Sequence, residues 1–129
     1  MAGISYLLDT NIAIAILNQE SAIESHLTGN TIYIPTIALG ELCFGAYKSA
    51  RTSENLARID QFIAQYELLD VDRLTARHYG EIKRILQQKG RPLPENDIWI
   101  AAIAIQYDLP LVTRDAHFNA VDGLLVEKW

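Results

Sequence analysis

Short apolar runs alternate with longer stretches of helical period along the whole 129-residue chain, and no other feature restricts its fold so strongly. Ile4-Ser5-Tyr6-Leu7-Leu8 reads as a buried strand. It stops at Asp9-Thr10-Asn11, residue types that cap helices, and a helix from Ile12 to Asn18 follows. Ile32-Tyr33-Ile34 is a second strand ended by Pro35, and Thr36 opens a helix running to Ala50. Ser53 and Glu54 start another helix, with Leu56, Ile59, Phe62, Ile63 and Tyr66 on one face. Leu68-Leu69-Asp70-Val71 is the third strand. From Asp72 to Lys89 the period is again helical, with Leu74, His78, Ile82 and Ile85 along one stripe and Gly90 as the stop. After the loop Arg91-Pro92-Leu93-Pro94, a helix runs from Asn96 to Tyr107. Leu109-Pro110-Leu111-Val112-Thr113 and Leu124-Leu125-Val126 are the fourth and fifth strands.

Strands separated by helices imply right-handed crossovers, and so an α/β fold with a parallel five-stranded sheet flanked by helices on both faces. No repeat or linker divides the chain, so residues 1–129 are expected to form one domain. Sixteen acidic against 11 basic residues give a net charge of −5, which excludes a protein that holds nucleic acid by bulk positive charge. It leaves room for an enzyme with a local basic track. The single Cys43 excludes an internal disulfide and a multi-cysteine zinc site, and it fits a reducing compartment. The opening MAGISYLLDTNIAIAILNQ lacks a basic leader, and Asp9 and Asn11 interrupt its apolar run, so neither membrane insertion nor export is expected. A cytoplasmic location is the corresponding expectation.

In parallel sheets of this kind ligands bind beyond the carboxyl ends of the strands. Four carboxylates fall there. Asp9 ends the first strand, Asp115 follows the fourth, Glu41 lies one to two turns into the helix after the second, and Asp97 opens a late helix. The first and fourth strands are neighbours when the sheet is doubly wound, which would bring Asp9 and Asp115 together. Capping alone accounts for Asp97 or for Asp9-Thr10-Asn11 taken singly. Glu41 sits among apolar and small residues and needs a partner. Two carboxylates about 5 Å apart at an effective dielectric near 20 repel by roughly 3 kcal/mol. A cluster must therefore raise its pKa values, find cations or bind metal. Oxygen-only donors select a hard ion, Mg²⁺ or Mn²⁺, which activates water and bridges a phosphate oxygen.

These residues resemble those of the PIN-domain ribonucleases, most closely the VapC toxins of bacterial toxin–antitoxin pairs. The resemblance covers essentially the whole chain. It rests on Leu7-Leu8-Asp9-Thr10-Asn11, Gly40-Glu41-Leu42, Asn96-Asp97-Ile98-Trp99-Ile100-Ala101-Ala102 and Val112-Thr113-Arg114-Asp115-Ala116-His117-Phe118, in that order and spacing. It implies a PIN domain acting as a Mg²⁺- or Mn²⁺-dependent endoribonuclease on structured RNA, commonly tRNA or ribosomal RNA. Asp9, Glu41, Asp97 and Asp115 match the family's acidic metal-binding positions. Asp9 and Asp97 would be the direct ligands, with Glu41 and Asp115 completing the shell or acting through waters. Asn11 and Thr113 match polar positions around the pocket. Asn119 stands near where some members carry a further acid, a departure that weakens any second metal. The resemblance also implies a cognate VapB-type antitoxin, a homodimer, and a larger toxin–antitoxin hetero-oligomer in which the antitoxin contacts promoter DNA.

Six of the 11 basic residues lie between Arg73 and Arg91. Arg73, Arg77 and Arg84 share one stripe of the helix, opposite Leu74 and Ile82, as either an RNA-backbone track or a solvated face. Arg114 would steady the phosphate, neutralise the acids, or lie on the surface. His117 is available for proton transfer, though a metal-bound water needs no histidine base. His26, His78, Trp99 and Cys43 read as structural. Ile12, Ile16 and Leu17 either pack in the core or border an antitoxin groove. Two alternatives stand beside the nuclease. One is a receiver-like phospho-acceptor module, which wants adjacent acids after the first strand, an acceptor near Asp70 or Asp72, and a lysine earlier than Lys128. The other is a catalytically silent PIN-fold binding domain.

Overall fold

The computed structural model describes residues 3–129. Its five strands are β1 (Ser5–Leu8), β2 (Thr31–Pro35), β3 (Glu67–Leu69), β4 (Leu111–Val112) and β5 (Val126–Glu127). Its helices are α1 (Thr10–Leu17), α2 (Ser21–Leu27), α3 (Thr36–Lys48), α4 (Thr52–Ile63), α5 (Arg73–Lys89) and α6 (Glu95–Gln106), with a 3₁₀ turn at Ala116–Ala120. All pairings are parallel, in the order β3-β2-β1-β4-β5. The strand order reverses between β1 and β4, so Leu8 lies opposite Val112 and the acids that follow both strands emerge side by side. The Asp9 N–H donates to the Val112 carbonyl at 2.9 Å and pins that corner.

Alternation along β1 divides the core. Leu7, with Leu111, Ile100, Ile103, Leu86 and Phe118, packs beneath α5 and α6. Tyr6 and Leu8 face the other way, onto Ile12, Ala38, Leu42, Ile59 and Phe62 of α1, α3 and α4. Period-two strands buried on both faces thus need helices on both sides, as the continuous apolar run of β1 required.

Several boundaries differ from the sequence expectation. The helix α2 was not expected, because its residues are mostly polar and only Ile23 is buried. Strand β3 ends at Leu69, and Val71 is 38% exposed beyond it. Strand β5 begins at Val126, leaving Leu125 exposed. The apolar stripe of α5 is rotated: Leu74 is 59% exposed, and the buried positions are Thr75, Ile82 and Leu86. The cause lies at the helix start. The Asp72 carboxylate accepts from the Leu74 and Thr75 N–H groups, and the Thr75 hydroxyl reaches Gln106 of α6, which draws Thr75 inward. Gly90 ends the helix with φ of +66°, a left-handed conformation that costs glycine little.

Candidate functional site

The N-terminal end of α1 caps itself with the first acid. Asp9 is 4% exposed, and its Oδ1 accepts the Thr10 N–H at 2.8 Å. Its Oδ2 accepts the Thr113 hydroxyl at 2.7 Å and the Asn11 amide at 3.3 Å. Thr113 in turn accepts the Asp115 N–H at 3.0 Å, which ties the acid after β4 to the acid after β1. The Thr10 hydroxyl donates to Glu41 Oε1 at 2.6 Å and brings α3 into the same group. The sequence marks Thr10 as a capping residue beside Asp9 and does not show its bond to Glu41.

Asp97, in the first turn of α6, is half-buried and makes no hydrogen bond to any described side chain. Burial pushes its carboxyl up to about 6, helped by the charges of Asp9, Asp115 and Glu41, with His117 acting slightly the other way. Burial also raises the Asp9 carboxyl, against the lowering effect of its Thr113 and Thr10 bonds. Asp97 and Asp9 therefore each lie within electrostatic reach of the other three expected acids. They are not closed into one shell: among the described residues no three Asp, Glu, His or Cys side chains stand together as a ready metal cluster. The Thr10 hydroxyl holds Glu41 on its own side of the group. The donors are nonetheless all hard oxygens, the kind that suit Mg²⁺ or Mn²⁺ with waters retained.

The neighbouring polar residues fall as follows. Asn11 bridges Thr113 (3.5 Å) and accepts the Arg114 N–H (3.3 Å). The Arg114 guanidinium does not neutralise the acids: it turns to Glu20, with nitrogen–oxygen distances of 2.9 and 3.4 Å. Glu20 lies in the turn between α1 and α2, and nothing in the sequence marked it. His117 is exposed, with Nδ1 3.0 Å from Asp115 Oδ1. Asn119 is exposed on the 3₁₀ turn and makes no hydrogen bond to the acids. Arg77 and Arg84 are exposed on α5 without ion pairs among the described residues, whereas Lys83 and Lys89 pair with Glu95 and Asp122. Trp99 stacks on Tyr79 with centroids 4.0 Å apart, a packing role as expected. Beside the acids an open groove of about 770 Å³ runs along α3, lined by Thr10, Ile14, Gly40, Glu41, Phe44, Lys48 and Asn96 among others. A second depression of about 690 Å³ lies by Thr31, Tyr66 and Glu67, at the far end of the sheet.

A parallel α/β sheet with acids gathered at its β1–β4 switch point is a nuclease-like arrangement, and the comparisons agree. The sequence model of the PIN domain family matches residues 6–124. Ribonuclease VapC2 of Rickettsia felis is 34% identical, over 96% of this chain and 97% of its own. The tRNA(fMet)-specific endonuclease VapC of Shigella flexneri is 35% identical over 98% of each. The crystal structure of DNA-bound VapBC from Salmonella typhimurium superposes with a TM-score of 0.91, at 34% identity over 98% of each chain. The chain belongs to the PIN-domain family and, within it, to the VapC ribonucleases. The receiver alternative is not favoured: Asp72 is spent capping α5, and Asp9 has no adjacent acid.

Proposed function

We propose that this protein is the toxin of a toxin–antitoxin pair, an endoribonuclease that hydrolyses phosphodiester bonds in structured RNA, tRNA first among the candidates. Asp9 and Asp97 would hold a Mg²⁺ or Mn²⁺ ion directly, and Glu41 and Asp115 would complete its shell directly or through waters. The observation that carries this reading is Asp97, a half-buried carboxylate with no side-chain hydrogen-bond partner among the described residues, set among three other acids with Arg114 turned away. A bound cation would offset both the burial and the like charge that raise its pKa. When bound, such an ion supplies a Lewis acid for a phosphate oxygen and an acidified water.

The protein's own residues do the positioning. Thr113 fixes Asp9 and the backbone of Asp115 with one hydroxyl, and Thr10 fixes Glu41. Asn11 ties Thr113 to the Arg114 backbone and so links the two sides of the pocket rim. Arg77 and Arg84, and Arg114 once it leaves Glu20, are the proposed contacts to RNA phosphates. The solved VapBC complexes, some of them DNA-bound, support a cognate VapB-type antitoxin and a toxin–antitoxin hetero-oligomer here as well, and a homodimer of this chain is proposed within it. No helix is long and apolar enough to cross a membrane among the described residues, in keeping with a proposed cytoplasmic site of action.

The test is to incubate the purified chain with tRNA and ribosomal RNA in Mg²⁺, Mn²⁺ or chelator and to map the new RNA ends. Discrete cuts that need the ion and vanish in Asp9→Asn, with unchanged circular dichroism, are expected. Cleavage surviving both chelation and Asp9→Asn would sink the metal mechanism, and RNA bound but never cut would favour the silent binding domain.

A further inference from the structure

The groove along α3 has a makeup that packing within the chain does not explain. Gly40, Glu41, Phe44, Gly45 and Lys48 all line it, so α3 presents one continuous face to the opening. Two of these are glycines inside a helix, where glycine costs about 1 kcal/mol relative to alanine. A Cβ added to either would meet no atom within 4 Å, and neither has the positive φ that would require glycine. Neither backbone strain nor close packing within the fold therefore accounts for them. Phe44 is 64% exposed, so its ring is open to a partner from outside the chain. The Lys48 ammonium stands 5.0 Å from the centre of that ring. At its other end the groove reaches Glu41, Thr10 and Asn96, beside the acids. Its volume, about 770 Å³, is in the range of small-ligand sites.

We infer that this groove is a subsite for an unpaired nucleotide next to the scissile linkage of an RNA strand. Phe44 stacks the base, Lys48 meets its flanking phosphate, and Gly40 and Gly45 keep the floor low enough for the strand to lie against the helix. The inference rests on the ribonuclease reading. The charge order favours RNA over a protein occupant: an acidic end where the linkage is attacked, then an aromatic face, then a cation beside the ring. Stacking on a ring is sequence-tolerant, so the subsite selects single-stranded character rather than a particular base. The strand at the cut would have to be a loop or a bulge of the structured RNA.

The test uses the full chain and a single-stranded RNA hexamer carrying one 2-aminopurine, titrated in chelator at low salt so that nothing is cleaved. Stacking quenches the fluorophore. The expected result is quenching by the wild type and by Phe44→Trp, with affinity lowered about 10-fold or more in Phe44→Ala. Lys48→Gln should flatten the salt dependence of binding. Gly40→Ala should raise Tm by a few degrees, because alanine is the better helix former, while weakening RNA binding. A merely structural glycine would not give that opposition. Quenching that ignores Phe44→Ala overturns the inference. So does unchanged RNA binding when Phe44→Ala instead disrupts self-association or capture of a co-expressed antitoxin, since the groove then docks protein. Wild-type cleavage in Mg²⁺ without Phe44-dependent quenching defeats the subsite alone. Phe44-dependent quenching without any cleavage supports the subsite and defeats the nuclease reading alone.

Discussion

At the scale of single residues, two neighbouring carboxylates of the proposed site are treated differently by the fold. Asp9 is buried more deeply than Asp97, yet it has three donors on its two oxygens, whereas Asp97 has none among the described residues. The Asp97 carboxyl stands at about 6 in the folded protein, for burial first and its three acidic neighbours second. In an unfolded chain an aspartate titrates near about 3.9. The folded state therefore binds the Asp97 proton more tightly, and this group's contribution to stability falls as pH rises from about 4 to 6. Above that range the full cost of the charge remains. Asp97→Asn should stabilise the metal-free protein at pH 7 by about 1 kcal/mol, a value reduced by water around a half-buried group, or about 4 °C in Tm. The gain should disappear near pH 4. The same variant should lose more than about 100-fold in cleavage, beyond what removal of an outer partner costs. Melting curves in chelator at the two pH values check the first part; a destabilised variant at pH 7 would mean that Asp97 has a partner in the fold.

At the scale of elements, α5 is where the apolar stripe and the three-dimensional structure disagree. Leu74, Ile82 and Ile85 suggested which face is buried, but the capping group of Asp72, Thr75 and Gln106 turns the helix so that Leu74 faces water. Lys83 and Tyr79 then meet Glu95 at the start of α6, and Tyr79 stacks on Trp99. The rotation makes a contrast that equilibrium unfolding in urea can read. Leu74→Gln should change stability by less than about 0.5 kcal/mol, as for other exposed positions. Leu86→Ala, at 2% exposure in the core, should cost about 2–5 kcal/mol. Comparable costs for the two would restore the orientation expected from the sequence. The short α2 was overlooked for a related reason: one buried isoleucine in seven residues carries no period, so its existence depends on the contact surface supplied by the rest of the molecule.

At the scale of the whole molecule, a protein of net charge −5 must attract RNA through local fields. Of the basic residues on α5, Lys83 and Lys89 are committed to ion pairs, whereas Arg73, Arg77 and Arg84 are exposed with none among the described residues. If that face tracks the backbone, replacing Arg77 and Arg84 together by alanine should reduce the slope of log K against log salt by about 1.5, with little change in the melting temperature. A slope equal to that of the wild type would return this face to plain solvation.

The sequence by itself determined the alternation of strands and helices, hence the parallel sheet, and it placed Asp9 and Asp115 just beyond strands whose adjacency the doubly wound topology implies. Those are consequences of periodicity and of capping chemistry, which are local. Only the tertiary structure decided which side chains meet: Thr10 with Glu41, and Arg114 with Glu20 instead of the acids. Such pairings join residues up to 94 positions apart, and their geometry depends on helix rotation and on the charge left over after every nearer partner is taken. No pattern of neighbours along the chain encodes that remainder.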